Sequence, residues 1–330
     1  MMAGAVALVG CNGGDSNAGG TAGGTDAGTQ AKTTGTAAPS GDKPLVFFGQ
    51  ANSQDPWRQV FDHDIKDAAD KHSADFSFEE ADATDKPDQQ ISQIETAMVK
   101  KPKVLIVSPV DESVQTAVEK AHDAGTFVIL VDRAVKGDKW DCYVGGDNKA
   151  IGTKAGEFMG QQMKGKGVIL MIRGIASATP THDRGDGFKD AIKKFPGITI
   201  IEGDDCGYNR EKAQTFMENF LTSKKHFDAI YAHNDEMAIG AYKAMEQAKA
   251  PMVPIVGIDG CQTEVVDMIK SGKLAASFSY PGPGPMAIDI AADFLKGKKP
   301  AMKSNLLATE IITKDTADAY VAKHPNLFKK

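Results

Sequence analysis

Residues 127–133 of the chain read FVILVDR. Five apolar residues in an unbroken run are followed at once by an aspartate and an arginine. A run that is apolar at every position, rather than at alternate ones, is typical of a strand buried on both faces of a parallel sheet. In open α/β sheets, ligands bind beyond the carboxyl ends of the strands. The stretch therefore predicts a buried strand that presents Asp132 and Arg133 at a ligand-binding edge.

Similar apolar runs alternate with helical patterns along the rest of the chain. The further predicted strands lie at 45–49, 104–108, 167–172, 198–201, 228–232 and 253–258. Asp111, Asn148 and Asn234 stand where helices should begin, and we interpret them as helix caps. Strand–helix alternation over about 280 residues predicts parallel, doubly wound sheets. These are too many units for one comfortable sheet, so we expect two similar α/β lobes.

The composition excludes several classes of protein. The chain has 330 residues, of which 41% are apolar, enough for two lobes with ordinary cores. Its 38 Lys and Arg against 44 Asp and Glu give a net charge of −6, which argues against a nucleic-acid partner. The sequence contains no run of eighteen apolar residues, so it predicts no membrane-spanning helix. One disulfide among Cys142, Cys206 and Cys261 is conceivable, but the sequence does not pair them.

The first 43 residues are predicted to lie outside the fold. Residues 1–11 end in LVGC, which resembles the lipobox of bacterial lipoproteins, although no basic segment precedes the apolar run. The match predicts a signal peptide at 1–11 and lipidation of Cys11. In residues 12–43, Gly, Ala, Ser and Thr fill 23 of the 32 positions and no aromatic residue occurs. This segment is predicted to be a flexible linker.

The residues that follow the predicted strands are polar and aromatic. They include Trp57, Arg58, Asp132, Arg133, Arg184, Tyr208, Asn234 and Asp259. Carboxylates and amides accept from sugar hydroxyls, arginine and asparagine donate to them, and aromatic rings cover the apolar face of a sugar ring. The set therefore suits a monosaccharide. The polar members alone would also suit an amino acid or, less well, a phosphate, since no glycine-rich phosphate loop follows a strand.

No catalytic motif is evident in the sequence. It contains no P-loop, no GxGxxG after a strand, no GxSxG and no HExxH. His182 and His233 are interpreted as solvent-exposed or structural. We therefore predict no cofactor, no bound metal and no enzymatic activity. A sugar dehydrogenase or kinase on the same architecture stays as an alternative, because fold alone does not exclude chemistry.

Six short motifs occur in a characteristic order. They are PW at 56–57, LVDR at 130–133, DRGDGF at 183–188, AHNDEMA at 232–238, GIDG at 257–260 and GKLAA at 272–276. Over roughly residues 44–325, they resemble the periplasmic sugar-binding proteins of ABC transporters, of the ribose-binding type. The pair Trp57-Arg58 is more similar to the galactofuranose-binding members.

The resemblance implies a type I periplasmic binding protein fold. Two Rossmann-like lobes are then joined by a three-segment hinge that closes on one monosaccharide. The implied N-terminal lobe comprises 44–147 and 281–307, and the implied C-terminal lobe comprises 148–280 and 308–330.

The same resemblance implies roles for the candidate residues of the N-terminal lobe. Asp132 and Arg133 are expected to bond adjacent ring hydroxyls. Trp57 is expected to cover one face of the sugar ring, and Arg58 to add a hydroxyl donor.

The remaining implied contacts come from the other lobe and the hinge. Arg184, Asn234 and Asp259 are expected to bond the sugar, and Tyr208 to pack on the opposite side from Trp57. Tyr280 falls where the ribose binders have a hydrogen-bonding glutamine, a departure that argues against naming ribose.

The predicted protein is therefore an extracytoplasmic solute-binding lipoprotein. It is expected to be a monomer, tethered by its lipid in the periplasm or on the outer cell surface. It would capture a furanose, pentose or hexose and deliver it to an ABC permease. The alternative is a sugar-sensing ectodomain that serves a chemoreceptor or a sensor kinase.

Overall fold

The computed structural model describes residues 43–328. The predicted signal peptide, Cys11 and all of the predicted linker except Lys43 lie outside these residues. Lys43 itself is exposed, and its Nζ donates a hydrogen bond to the carbonyl oxygen of Ser73 at 2.7 Å. Within the described part, every helix is too short or too polar to cross a membrane.

Strands and helices alternate along the described chain. The strands are β1 (Leu45–Gln50), β2 (Ser77–Asp82), β3 (Val104–Val107), β4 (Phe127–Val131), β5 (Cys142–Gly146), β6 (Lys166–Arg173), β7 (Gly197–Asp205), β8 (Ala229–Ala232), β9 (Ile255–Asp259), β10 (Ala276–Ser279), β11 (Ser304–Leu307) and β12 (Ile311–Ile312). The helices are α1 (Pro56–Lys71), α2 (Pro87–Val99), α3 (Gln115–Asp123), α4 (Asn148–Gln162), α5 (Thr179–Ile192), α6 (Arg210–Thr222), α7 (Asp235–Gln247), α8 (Thr263–Lys270), α9 (Gly284–Leu295) and α10 (Ala317–Lys323). Two short 3₁₀ helices span Glu112–Val114 and Pro325–Phe328.

The strands form two six-stranded sheets. The first runs β11-β5-β4-β3-β1-β2 and its pairs are all parallel. The second runs β12-β10-β9-β8-β6-β7, and only the pair β10–β12 is antiparallel. We call the parts built on these sheets the first and second lobes. The predicted fold class, two doubly wound α/β lobes, is confirmed.

The central strands are buried as their composition predicts. Val104–Val107 of β3 and the last four residues of β4 have no exposed surface. By contrast, β2 reads SFEEAD and is largely exposed at the edge of its sheet. A polar edge strand has no unbroken apolar run, so the sequence pattern missed it. The short strands β5, β10, β11 and β12 were missed as well.

Helix caps agree with the prediction at two of three positions. Asp111 caps the 3₁₀ helix by accepting from the Ser113 N–H, and Asn234 caps α7 by accepting from the Met237 N–H. The prediction for Asn148 is wrong. Asp147 caps α4 instead, and Asn148 is the first helical residue, which leaves its amide available for other partners.

The chain crosses between the two sheets three times. It leaves the first sheet after β5, returns after β10 through α9, and leaves again between β11 and β12. Helix α9 belongs with the first lobe, because Gly284 lies against the backbone of Ile65 in α1. The cysteines Cys142, Cys206 and Cys261 are free and buried, so the conceivable disulfide does not form among them.

Candidate functional site

A cavity with about 350 Å³ of unfilled space lies where the loops of both lobes meet. Its lining residues are Asp55, Trp57, Arg58, Asp132, Arg133, Pro180, Arg184, Tyr208, Asn234, Asp259 and Tyr280. The nine ligand-binding residues predicted from the sequence are all among them. They come together because the carboxyl ends of parallel strands share one edge of each sheet.

Arg58 and Asp132 form a buried ion pair in the first lobe. Arg58 lies in the first turn of α1, and its Nη2 donates to Asp132 Oδ2 at 2.5 Å. Its Nη1 donates to Gln50 Oε1 at 2.9 Å and to Ser108 Oγ at 2.8 Å. Burial alone would raise the pKa of Asp132, but Arg58, Arg133 and the Tyr280 hydroxyl together lower it. Asp132 is therefore a carboxylate held in one orientation.

The other two arginines are fixed by backbone carbonyls and keep free donors. Arg133 Nη1 donates to the carbonyl oxygen of Val110 at 2.8 Å. Arg184 Nη1 donates to the carbonyl oxygen of His233 at 2.5 Å, and its Nε donates to Asn148 Oδ1 at 2.8 Å. Among residues 43–328, the Nη2 atoms of Arg133 and Arg184 have no acceptor. Each guanidinium is thus oriented by the protein, with N–H groups left over at the cavity.

Two further carboxyl groups face the cavity, one from each lobe. Asp55 caps α1 by accepting from the Arg58 N–H, and burial raises its pKa. Asp259 ends β9, and its side chain has no hydrogen-bond donor among the described residues. Burial and then the nearby Asp235 carboxyl raise the pKa of Asp259 well above its usual range. Protonated Asp259 has both a hydroxyl donor and acceptor capacity, which matches a sugar hydroxyl.

Three of the lining residues have left-handed backbone conformations. The φ angles are 62° at Asp132, 60° at Tyr208 and 133° at Asp259. Non-glycine residues rarely adopt such angles, and they persist where surrounding contacts hold them. The Tyr208 ring also requires glycine at position 174, because a Cβ on residue 174 would collide with the ring. These strand ends are therefore shaped for the cavity rather than for a relaxed backbone.

Aromatic rings and cations alternate around the cavity. Trp57 lies 4.9 Å from Tyr280 between ring centroids, and the guanidinium of Arg58 is 5.0 Å from the Trp57 ring. Tyr208 belongs to the second lobe, and its hydroxyl hydrogen-bonds with Thr181 Oγ1 at 2.7 Å. The cavity is thus lined by an aromatic ring from each lobe, Trp57 from the first and Tyr208 from the second.

Asn234 caps a helix and also lines the cavity. Its Oδ1 caps α7, and its Nδ2 donates to the carbonyl oxygen of Tyr208 at 3.2 Å while the residue lines the cavity. His233 is fully buried, and neither ring nitrogen has a partner within residues 43–328. Burial and the Arg184 charge lower its pKa well below the usual range. His233 is therefore a neutral, structural residue behind Arg184, whereas His182 is exposed.

Sequence reasoning missed Asp55 and Pro180 in the lining, and Gln50, Ser108 and Asn148 behind it. Asp55 was visible as a helix-capping residue before a proline, but a cap has no need to face a ligand. Ser108 and Asn148 have partners from distant segments, Asp132 for Ser108 and Arg184 for Asn148. No local signal in the sequence reveals such contacts.

The cavity lining contains as many aspartates as arginines, three of each. Asp55, Asp132 and Asp259 face Arg58, Arg133 and Arg184. Burial raises the pKa of Asp55 and of Asp259, so that only Asp132 has its carboxylate form favoured by its surroundings. No cluster of three metal-ligating side chains occurs in the part of the chain that the structure describes.

Two lobes that enclose a polar cavity define a class of proteins that close around a small solute. Residues 46–299 match the family model described as periplasmic binding protein domain. The chain therefore belongs to the periplasmic binding protein family, which confirms the resemblance identified in its motifs.

The relatives of the chain include sugar-binding proteins. It is 32% identical over 240 residues to the ribose import binding protein of Haemophilus influenzae, covering 71% of this chain and 81% of that protein. It is 27% identical over 294 residues to a galactofuranose-binding protein of Escherichia coli, covering 86% and 92%. A solved fructose-binding periplasmic domain of a hybrid two-component system is 30% identical, with a TM-score of 0.81 and coverage of 86% and 95%.

Proposed function

We propose that the chain binds one neutral monosaccharide between its two lobes. The observation that supports this most is the set of unused hydrogen-bonding groups at one cavity: Nη2 of Arg133 from the first lobe, and Nη2 of Arg184 and the Asp259 carboxyl from the second. A ligand with several hydroxyl groups satisfies both donors and acceptors.

The kind of sugar is proposed from the relatives of the chain. The relatives named for ribose, galactofuranose and fructose support a furanose, pentose or hexose as ligand.

Binding would stabilise the closed arrangement of the lobes. A ligand that contacts both lobes has more affinity for the closed form than for the open one, and it shifts the population accordingly. The three crossings near residues 147, 280 and 308 are the proposed hinge. They divide the chain into the lobes 44–147 with 281–307 and 148–280 with 308–330. On this proposal the protein acts by binding alone and has no enzymatic activity.

A thermal-shift screen tests the proposal. D-ribose, D-fructose, D-galactose and L-arabinose are added to the full chain, and hits are titrated by calorimetry. A ligand at 100 times its Kd stabilises the protein by about 2.7 kcal/mol, so a true ligand raises the Tm measurably. If no neutral saccharide raises the Tm, the proposal is wrong.

A variant series identifies the cavity as the binding site. Asp132→Asn removes the charge that Arg58 pairs with and weakens binding by about 1–3 kcal/mol or more, because a buried ionic partner is left uncompensated. Asp67→Asn, an exposed aspartate on α1, is the control and leaves the affinity unchanged. Equal affinities in the two variants would contradict the assigned site.

Delivery to an ABC permease is the proposed use of the bound sugar. The protein would act outside the cytoplasm as a monomer tethered through lipidated Cys11. Mass spectrometry of the membrane-extracted protein detects the lipid, and Cys11→Ser should release the protein from membranes. An unmodified Cys11 would refute the tether without affecting the sugar site.

A sensory role is the second candidate. Its support is the similarity to a periplasmic domain that belongs to a hybrid two-component system. Affinity capture of membrane partners in the presence and absence of sugar distinguishes the candidates. Capture of permease subunits supports transport, and capture of a receptor or sensor kinase supports sensing.

A further inference from the structure

The backbone of Tyr280 is bonded to both lobes. Tyr280 directly follows β10 of the second lobe, at one of the three crossings. Its N–H donates to the carbonyl oxygen of Asp259 at 3.0 Å. Its own carbonyl oxygen accepts from Trp57 Nε1 of the first lobe at 2.6 Å. One peptide segment thus connects two lining residues that belong to different lobes.

The ring of Tyr280 repeats this arrangement. Its centroid lies 4.9 Å from that of Trp57 in the first lobe. The guanidinium carbon of Arg184 in the second lobe is 4.6 Å from the same ring. The ring also lies against Gly146, next to another crossing, so closely that a Cβ at that position would overlap it. The ring therefore contacts residues of both lobes while it lines the cavity.

The hydroxyl group of Tyr280 joins the polar networks of the two lobes. It donates to Asp132 Oδ1 at 2.8 Å and accepts from Asn148 Nδ2 at 3.4 Å. Asn148 Oδ1 in turn accepts from Arg184 Nε at 2.8 Å. A continuous series of hydrogen bonds therefore runs from Asp132 through Tyr280 and Asn148 to Arg184.

We propose that Tyr280 is a positioning residue that couples closure of the lobes to the orientation of Asp132 and Arg184. This inference rests on the proposed sugar-binding function and assigns Tyr280 a role other than that of a direct sugar contact. Tyr280 keeps all of these contacts only while the lobes are together, because its partners lie on both sides. Closure then aligns the two binding groups, and loss of the hydroxyl both loosens the closed form and releases Asp132.

The variant Tyr280→Phe tests the coupling, because it keeps the ring and removes only the hydroxyl. The matched control is Tyr143→Phe. The Tyr143 hydroxyl also bonds Asp132, at the backbone oxygen and 2.9 Å away, but both residues belong to the first lobe. The two variants thus remove one tyrosine hydroxyl each from the same aspartate, and only one of these hydroxyls links the lobes.

Two measurements are made on the full chain of the wild type and both variants. Stopped-flow displacement gives the dissociation rate of whichever of D-ribose, D-fructose, D-galactose or L-arabinose binds the wild type. Small-angle X-ray scattering gives the radius of gyration without sugar. For Tyr280→Phe we expect dissociation about 10-fold faster, little change in the association rate and a larger sugar-free radius of gyration. For Tyr143→Phe we expect no more than an about 3-fold change in dissociation and an unchanged radius.

The outcomes separate this inference from the proposed function. If the wild type binds a sugar but Tyr280→Phe matches Tyr143→Phe in both measurements, the coupling is refuted and the function stands. If the wild type binds none of the sugars, the proposed function fails, and the sugar-free radius of gyration still decides the coupling. A lower Tm in Tyr280→Phe with unchanged dissociation and radius indicates a purely structural role and overturns the inference.

Discussion

The guanidinium group of Arg58 donates some of its hydrogen bonds to protein acceptors and leaves its other donors free at the cavity. Gln50 and Ser108 accept from Nη1, and Asp132 accepts from Nη2. The Nε–H and one Nη2–H stay available. The resemblance assigned Arg58 a direct bond to the sugar, and the structure adds that three of its five donors are taken by protein acceptors, one of which is Asp132.

Ser108 is the residue on which this arrangement can be tested. Its hydroxyl bonds both Arg58 Nη1 at 2.8 Å and Asp132 Oδ2 at 3.2 Å, and the side chain is fully buried. Ser108→Ala leaves a buried guanidinium donor unsatisfied, so we expect sugar affinity to fall by about 1–3 kcal/mol. Calorimetry measures the change, and exposed Ser92→Ala on α2 is the control. Affinity equal to that of the control would show that Ser108 does not position the pair.

Helices α4 and α5 approach one another through glycine. A Cβ at Gly152 of α4 would overlap the backbone of Arg184, and one at Gly187 of α5 would overlap the backbone of Lys149. Because the helices touch at their backbones, the position of Arg184 at the cavity depends on the small size of a residue on another helix.

Gly152→Ala should therefore displace α5 and weaken both stability and sugar binding. We expect the free energy of unfolding to fall by about 1–3 kcal/mol, as for other overpacked cores. The control is Gly185→Ala, next to Arg184, where a Cβ would lie 3.5 Å from His233 in ordinary contact. It should be neutral or slightly stabilising, since alanine favours the helix. Urea unfolding and calorimetry measure both quantities, and similar results for the two variants would contradict the expected displacement.

The start of α7 contains a buried carboxyl group whose titration should affect stability. Asp235 accepts from the Gly260 N–H at 2.7 Å and from Ser277 Oγ, and burial raises its pKa to about 6. At pH values between the ordinary pKa of 3.8 and the raised pKa of about 6, Asp235 holds a proton in the folded state that it has released in the unfolded state. This contribution is present at low pH and is lost as the pH rises towards 6.

Asp235→Asn should remove this pH dependence. Relative to wild type, the variant should gain about 1–3 kcal/mol of stability between pH 4 and pH 7, because it has no buried proton to lose. Urea unfolding of the sugar-free chain at several pH values measures the difference, with exposed Asp67→Asn as the control. A difference between variant and wild type that stays constant with pH would contradict the argument.

In the molecule as a whole, hydrogen bonds away from the cavity also join the lobes. Ser177 Oγ of the second lobe donates to Asp111 Oδ2 of the first at 3.2 Å. Ser113 Oγ, within the first lobe, donates to the other oxygen of the same carboxylate at 2.5 Å. These two serines therefore provide a matched pair, of which only one spans the lobes.

Ser177→Ala should speed sugar dissociation about 2- to 5-fold, since an exposed hydrogen bond contributes about 0.5–1 kcal/mol to the closed form. Ser113→Ala should leave the dissociation rate unchanged. Stopped-flow displacement measures both. Equal rates in the two variants would show that the Ser177–Asp111 bond does not stabilise closure.

The sequence predicted the two lobes and nine of the eleven residues that line the cavity. Buried parallel strands are continuous apolar runs, so the residue at which each strand ends can be located in the sequence, as at Asp132 and Asp259. The sequence could not predict the polar edge strand β2 or the pairing of Asn148 with Arg184. Burial and partners at such positions are set by segments distant in the sequence. Ligand binding by the nine residues stays a prediction until it is measured.

The order of the strands has a consequence for biosynthesis. The last strand of the first sheet, β11, and the last of the second, β12, are separated by only a short segment near the C-terminus. During translation neither half is complete until this segment has emerged, although most of both has already been made. A chain truncated before residue 304 should thus expose an unpaired strand edge on each sheet and be prone to aggregate. Both sheets would therefore be completed at nearly the same time, when residues 304–312 emerge.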